Sequence, residues 1–302
     1  MRTVVNQCVL FAGAICVWAT GAWSQVPGVQ HVVVIGVDGM APFGIDRAAM
    51  PILDDLIAHG ASTMYARGVL PTSSSPNWAS AIMGAGPEQH GITDNDWMMP
   101  ERDITPIATS DGRVFPTIFW LLRQQQPTAT IGIFYDWDGF GLLMESSIAD
   151  KKVNAISADH AVDAASAYFA EARPLFTFIH LDHVDHAGHT SGWDSTEYTQ
   201  ALENADARIG KIIESTKSAG MYERTLFLII SDHGGKGKGH GGDSMAEIEI
   251  PWIIVGPGVK KGHTITQFVN TYDTAATLAY VFGLKPHEAW IAKPVLDAFE
   301  GK

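Results

Sequence analysis

The sequence predicts an α/β fold, a three-layer αβα sandwich around a mostly parallel central sheet. Five short apolar runs read as strands buried on both faces, and helical patterns separate them. Three of those runs end in Asp or His, at the strand ends where parallel sheets gather their ligands.

In chain order, the strand-like runs are "HVVVIGVDG" from His31, "ATIGIFYDW" from Ala129, "LFTFIHLDH" from Leu175, "TLFLIISDHG" from Thr225 and "IPWIIVGPG" from Ile250. The helical patterns are "MPILDDLIAHG" from Met50, "PNWASAIMG" from Pro76, "TIFWLLRQQQ" from Thr117 and "ADHAVDAASAYFAE" from Ala158. Two more are the long "STEYTQALENADARIGKIIESTKSAG" from Ser195 and "YDTAATLAYVFGL" from Tyr272. Pro76 suits a first helical position. The polar, proline-containing stretch from Met98 to Arg113 reads as a surface excursion near the site.

The chain has 302 residues, 46% of them hydrophobic, which is enough for one large core. It contains no internal repeat and no low-complexity linker. Residues 1–24 read as a signal peptide: Arg2, an apolar run from Cys8 to Ala22 that is short for a membrane span, then Ala22-Trp23-Ser24 as a cleavage site. Residues 25–302 read as a single catalytic domain. Both cysteines, Cys8 and Cys16, fall in the leader, so the expected periplasmic or secreted protein has no disulfide.

The formal charge is −13, and Lys and Arg never cluster beyond the pairs at 151–152 and 260–261. That composition excludes binding to nucleic-acid polymers, which needs a basic stripe. No stable membrane partner is expected. An acidic protein that handles a small anionic substrate must neutralise it locally, and metal ions are the obvious means.

The strand ends supply suitable ligands. Asp38 closes the first run. Asp185 and His189 stand four apart, so one helical turn puts both on one face. Asp232 and His233 are adjacent, and His240 lies in the glycine-rich "KGKGHGG". Carboxylate oxygens and imidazole nitrogens in this number suit two divalent metal ions. The stretch "PTSSSPN", Pro71 to Asn77, places serines at a helix N-terminus, where free N–H groups bind phosphoryl oxygens. A metal-activated serine there can attack phosphorus; the bland alternative is that Ser75 only caps the helix.

The stretches "VVVIGVDGM", "LPTSSSPNWASAIMGAGPEQHGITDN", "DHAGHTSG" and "SDHGG" together resemble the alkaline phosphatase superfamily, most closely its nucleotide pyrophosphatase/phosphodiesterase branch. The motifs fall in the family's order from Val32 to about Gly235. The resemblance implies that Asp38, Asp232 and His233 hold one metal, with Ser74 as nucleophile and ligand on it. Asp185 and His189 would hold the other, with His240 as its third ligand. Asn95 would donate a hydrogen bond to a nonbridging phosphoryl oxygen. The implied metal is zinc, with manganese as the alternative.

Several features depart from that pattern. The nucleophile is Ser rather than the branch's Thr, and the chain is short for the branch. His240 follows His233 by seven residues, whereas the branch places its last histidine much further downstream; His263 and His287 are the remaining choices. Asp182 is an alternative to Asp185. His180, His183 and His186 read as outer or surface residues, His90 as structural, and Trp78 and Trp97 as core or leaving-group lining. The expected activity is phosphate diester or pyrophosphate hydrolysis through a phosphoseryl intermediate on Ser74. The alternatives are a monoesterase, for which Lys236 and Lys238 would supply the extra cationic charge, and a non-catalytic metal-binding relative. A sulfatase would need "Ser-x-Pro-x-Arg", and Trp78 stands at the Arg position.

Overall fold

The β-branched runs assemble as expected for strands buried on both faces. The computed structural model of the chain describes residues 26–97 and 104–302, so the leader expected over 1–24 and the first part of the 98–113 excursion lie outside the described residues. Eight strands form one sheet: β1 (His31–Val37), β2 (Ala61–Arg67), β3 (Ile131–Tyr135), β4 (Lys151–Asn154), β5 (Phe176–Leu181), β6 (Thr225–Ile230), β7 (Glu249–Val255) and β8 (His263–Thr264). Their order is β4-β3-β5-β1-β6-β7-β2-β8. Only β7 runs antiparallel to its neighbours; every other pairing is parallel.

Strand alternation divides the core in two. Val32 and Val34 face one cluster with Trp78, Phe119 and Leu278, contributed by helices Ser74–Met83, Ile118–Gln125 and Asp273–Phe282. Val33, Ile35 and Val37 face the other, with Leu53, Phe169 and Ile209 from helices Pro51–His59, Ala158–Ala172 and Thr196–Ser218. This is the three-layer sandwich. Thr117, Ser157 and Ser195 each start a helix by accepting a hydrogen bond from the backbone N–H three residues on, the ordinary way to satisfy an orphan donor.

One boundary differs from the expectation. The helix after the serines begins at Ser74, with Ser73 as its extended N-cap, so Pro76 is its third residue rather than its first. A proline anywhere in the first turn removes an N–H that has no intrahelical partner.

The topology brings five connections to one edge. The carboxyl ends of β1, β3, β5 and β6 lead to Asp38, Asp136, Asp182 and Asp232. β2 runs in the same direction, so the 68–73 segment leading to Ser74 leaves from that edge too. β7 runs the opposite way and starts there.

The far end of the fold is tied by Asp297. Its Oδ2 accepts from the N–H groups of Thr266 and Gln267 at 2.7 and 3.3 Å, and its Oδ1 accepts from His263 at 2.9 Å. These donors hold its carboxyl well below the usual carboxylate range. A depressed folded pKa means stability that is present above the unfolded value and lost as pH falls through the folded one. Asp297→Asn should therefore lower stability at pH 7 by about 1 kcal/mol, the low end for bonds to a charged group because the site is part-exposed and screened. In thermal unfolding the gap to wild type should narrow as pH falls below about 4.

Candidate metal centre

Asp38 follows β1 and is fully buried. Gly39 after it has φ +69, and a Cβ there would meet the Asp185 backbone at 2.9 Å, so glycine lets the end of β1 approach the helix that carries Asp185. Asp232 and His233 follow β6 and are also fully buried. Asp185 and His189 lie one turn apart on helix His183–Ser191, which follows β5. Ser74 opens its helix with its hydroxyl 3.2 Å from His233 Nε2. His240 reaches in from the β6–β7 connection, its ring stacked on that of His233 at 3.8 Å.

Two groups of ligand atoms result, each within 4.8 Å: Asp38, Asp185 and His233, and Asp185, His189 and His240. Asp232 adjoins the first, its Oδ2 3.2 Å from His233 Nε2. The structure thus brings together all seven residues expected to bind metal. His263 and His287 lie elsewhere: His263 bonds Asp297, and His287 Nδ1 accepts from the Ala289 N–H. Asp182 belongs to neither group; it is the N-cap of the helix carrying Asp185.

Every histidine of the cluster is oriented the same way. His233 Nδ1 lies 2.8 Å from the Gly234 carbonyl, His240 Nδ1 2.8 Å from that of Thr72 and His189 Nδ1 3.0 Å from that of Lys238. A carbonyl can only accept, so each Nδ1 carries the proton and each Nε2 turns a lone pair inward. His189 and His240 place two such Nε2 atoms 3.0 Å apart. The carboxylates match them. Asp232 Oδ1 accepts from the Gly39 N–H at 3.1 Å, while Asp38 Oδ1, Asp185 Oδ1 and Asp232 Oδ2 are buried with no hydrogen-bond partner. Facing lone pairs and orphan carboxylate oxygens fit divalent cations, which complete such a donor set.

Without a cation the cluster resists ionisation. Burial, then the Asp232 charge, pushes the Asp38 carboxyl up, and burial does the same to Asp232. Asp185 is pushed up to about 9 by burial and by Asp38 and Asp182. Burial holds His233 low, and burial with the neighbouring His233 takes His240 down to about 3.

Around the cluster, Asn95 is exposed and its Oδ1 accepts from the Ser75 N–H at 2.8 Å, which leaves its Nδ2 as a donor beside Ser74. Ser75 does not cap the helix; its hydroxyl is buried without a partner. His90 is fully buried 3.1 Å from the Ser80 hydroxyl and packs the interior. His186 is exposed, and His183 lies against the Ala201 carbonyl. Sequence reasoning passed over Thr72. Its hydroxyl donates to the Gly242 carbonyl at 2.7 Å and accepts from the Gly241 N–H at 3.0 Å, pinning the His240 loop to the serine loop. Its place in "PTSSSPN" was the available signal.

Orphan carboxylates and inward-turned imidazoles beside a helix-terminal serine, at the carboxyl edge of a mostly parallel sheet, define a protein of the alkaline-phosphatase-like fold with a candidate two-metal centre. The sequence profile of the type I phosphodiesterase/nucleotide pyrophosphatase family matches residues 32–238, and the chain belongs to that family. Ectonucleotide pyrophosphatase/phosphodiesterase family member 1 of Homo sapiens is 26% identical over 196 residues, covering 61% of this chain and 21% of that protein. The Homo sapiens bis(5'-adenosyl)-triphosphatase ENPP4 is 22% identical over 239 residues, 74% of this chain and 51% of its own length. The match thus spans about a fifth to a half of these relatives. Among solved structures, murine ectonucleotide pyrophosphatase/phosphodiesterase 5 in complex with AMP superposes with TM-score 0.71 at 17% identity, covering 85% of this chain and 96% of that one. A 2-O GAG sulfatase gives TM-score 0.73 at 14% identity, covering 91% and 75%.

Two outcomes are expected. Thr72→Val keeps the side-chain volume but strands the Gly241 N–H and the Gly242 carbonyl. It should destabilise the protein by about 1–3 kcal/mol in denaturant titration and speed hydrogen exchange at Gly241. In metal-free protein, the raised carboxyl pKa values mean that the folded state binds more protons than the unfolded one between about pH 7, above the ordinary histidine range, and the value near 9 at Asp185, whereas below that window the lowered His233 and His240 oppose the effect. Stability should therefore fall as pH rises through that window. Adding zinc should restore the melting temperature at pH 8 far more than at pH 5, as scanning calorimetry would show.

Proposed function

We propose that this protein is an exported two-metal hydrolase of phosphate diesters or pyrophosphates, acting through a phosphoseryl intermediate on Ser74. The observation that carries the proposal is the Ser74 hydroxyl, at a helix N-terminus and against a cluster of buried donors that lack protein partners. Asp38, Asp232 and His233 with Ser74 would hold one cation, and Asp185, His189 and His240 the other; zinc is favoured by the family resemblance. Bound there, the cations would ease ionisation of the Ser74 hydroxyl and offset charge on the phosphoryl oxygens.

The chain's own residues account for the rest. Ser74 Oγ gives up its proton and attacks phosphorus, the bond to the leaving-group oxygen breaks as that oxygen departs and takes up a proton, and water later releases the remaining phosphate monoester and restores the serine. Asn95 Nδ2 donates to a nonbridging oxygen as its charge grows, with the amide held by the Ser75 N–H. The Ser74 N–H, with no partner among the described residues, offers a second donor at the same helix end.

A diester fits better than a monoester. Among the described residues no Lys or Arg side chain is bonded to the cluster, and Lys238 Nζ is held by the Thr190 carbonyl at 2.7 Å. The doubly charged monoester needs more cationic partners than a diester. The AMP bound to murine ectonucleotide pyrophosphatase/phosphodiesterase 5 supports a small phosphate ester as ligand class. The likeness to a sulfatase reaches the fold alone, since Trp78 replaces the arginine of the sulfatase signature. Export rests on the leader-like residues 1–24 and on the "ecto" relatives; no described helix is long and apolar enough to cross a membrane.

Residues 25–302 should bind about two zinc ions and hydrolyse bis-p-nitrophenyl phosphate faster than p-nitrophenyl phosphate. Ser74→Ala should lower kcat by about 10³-fold or more while retaining the metal. Unchanged turnover in Ser74→Ala would refute the phosphoseryl route, and a monoester preference would refute the diesterase assignment.

A further inference from the structure

We infer that Trp78 and His180 are positioning residues for Asp38, holding its Oδ2 so that Oδ1 alone faces the cation; this rests on the metal-centre reading above. Trp78 Nε1 donates to Asp38 Oδ2 at 2.8 Å, and His180 Nε2 lies 3.1 Å from the same oxygen. All three side chains are shut off from solvent. The other oxygen, Oδ1, has no hydrogen-bond partner and lies 3.5 Å from His233 Nε2, on the cluster side. Two donors on one oxygen remove the freedom of a carboxylate to rotate or to bind through both atoms.

The donors are themselves fixed. The His180 ring stacks on Phe140 at 4.8 Å and meets the Trp78 ring edge-on at 5.0 Å. β1 makes room for the indole: a Cβ on Gly36 would come within 2.5 Å of it. Glycine in the middle of an otherwise β-branched strand is costly unless something packs there, and here the Trp78 ring does. Both donors can act without carrying charge. A Lys or Arg in either place would form an ion pair with Asp38 and compete with the cation, whereas an indole N–H and a neutral imidazole N–H orient the carboxylate and leave its charge in place.

A purely structural role and a positioning role separate in variants that keep one property and lose the other. Trp78→Phe keeps the buried ring but loses the N–H. His180→Gln keeps a donor near the Nε2 position, and His180→Met has a similar shape without it. The readouts are zinc affinity by chelator competition, the visible spectrum of the cobalt-substituted protein, and melting temperature. Trp78→Phe and His180→Met should bind zinc at the Asp38 group about 10–100-fold more weakly and alter the cobalt spectrum, with His180→Gln close to wild type. Wild-type affinity and spectrum in a folded Trp78→Phe or His180→Met would overturn the inference. So would equal zinc affinity in His180→Gln and His180→Met, whichever other variants fold. A wild type that takes up no cation would instead refute the metal centre itself.

Discussion

Mutual repulsion among buried carboxylates is the constraint on which the site depends. Asp38 and Asp185 offer oxygens within 4.8 Å of one another. If both were ionised, that pair alone would cost about 3 kcal/mol at an effective dielectric near 20, with Asp232 adding to it. Bare, the cluster holds on to its protons; loaded with cations, its carboxyls would be free to ionise. Its acidity and its capacity for cations are therefore one property, set by how firmly the fold holds the carboxylates together. The sheet does the holding. β1 and β6 are direct neighbours, so Asp38 and Asp232 leave adjacent strand ends, and β5 on the other side of β1 delivers the helix that carries Asp185.

The oxygens and nitrogens that face away from the centre are as ordered as those that face it. Asp38 Oδ2 and Asp232 Oδ1 each accept hydrogen bonds, and all three histidines are anchored through Nδ1. Nearly every inward donor atom is thus opposite an outward one already bonded to the protein. Such outer bonds fix tautomer and ring angle before any ion arrives. They come from elements far apart in sequence: Thr72 holds His240, Lys238 holds His189, and Trp78 holds Asp38.

Central elements were legible because their environment acts on every residue in them. β1, β3, β5, β6 and β7 are buried on both faces, and their apolar runs say so. The missed strands are those whose partners do the work. β4, "KKVN", sits at one sheet edge with two residues exposed and two half-buried, and β8 has two residues at the other. β2, "ASTMYAR", carries polar residues and is defined by pairing with β7. At the site, the residues that gather at the cluster could be read because Asp and His at strand ends are chemically conspicuous. Thr72 was not conspicuous, since a threonine beside a proline looks like any turn residue until the Gly241 and Gly242 backbone is seen against it. Trp78 misled in the same way: its burial was legible, but its one hydrogen bond was not.

The reversed strand explains the feature of the sequence that fits the branch least. In a strictly parallel sheet the chain leaving β6 at the carboxyl edge must cross to the opposite edge before the next strand begins. Here β7 is antiparallel to β6, so the 231–248 connection starts and ends at the same edge and never leaves the site. His240 can then return over His233 after only seven residues, its loop fastened to Thr72 on one side and, through the Gly242 N–H, to Glu247 on the other. The resemblance leads one to expect that histidine from far downstream; in this chain His240 instead stands at the cluster on the shortest connection that the sheet direction permits.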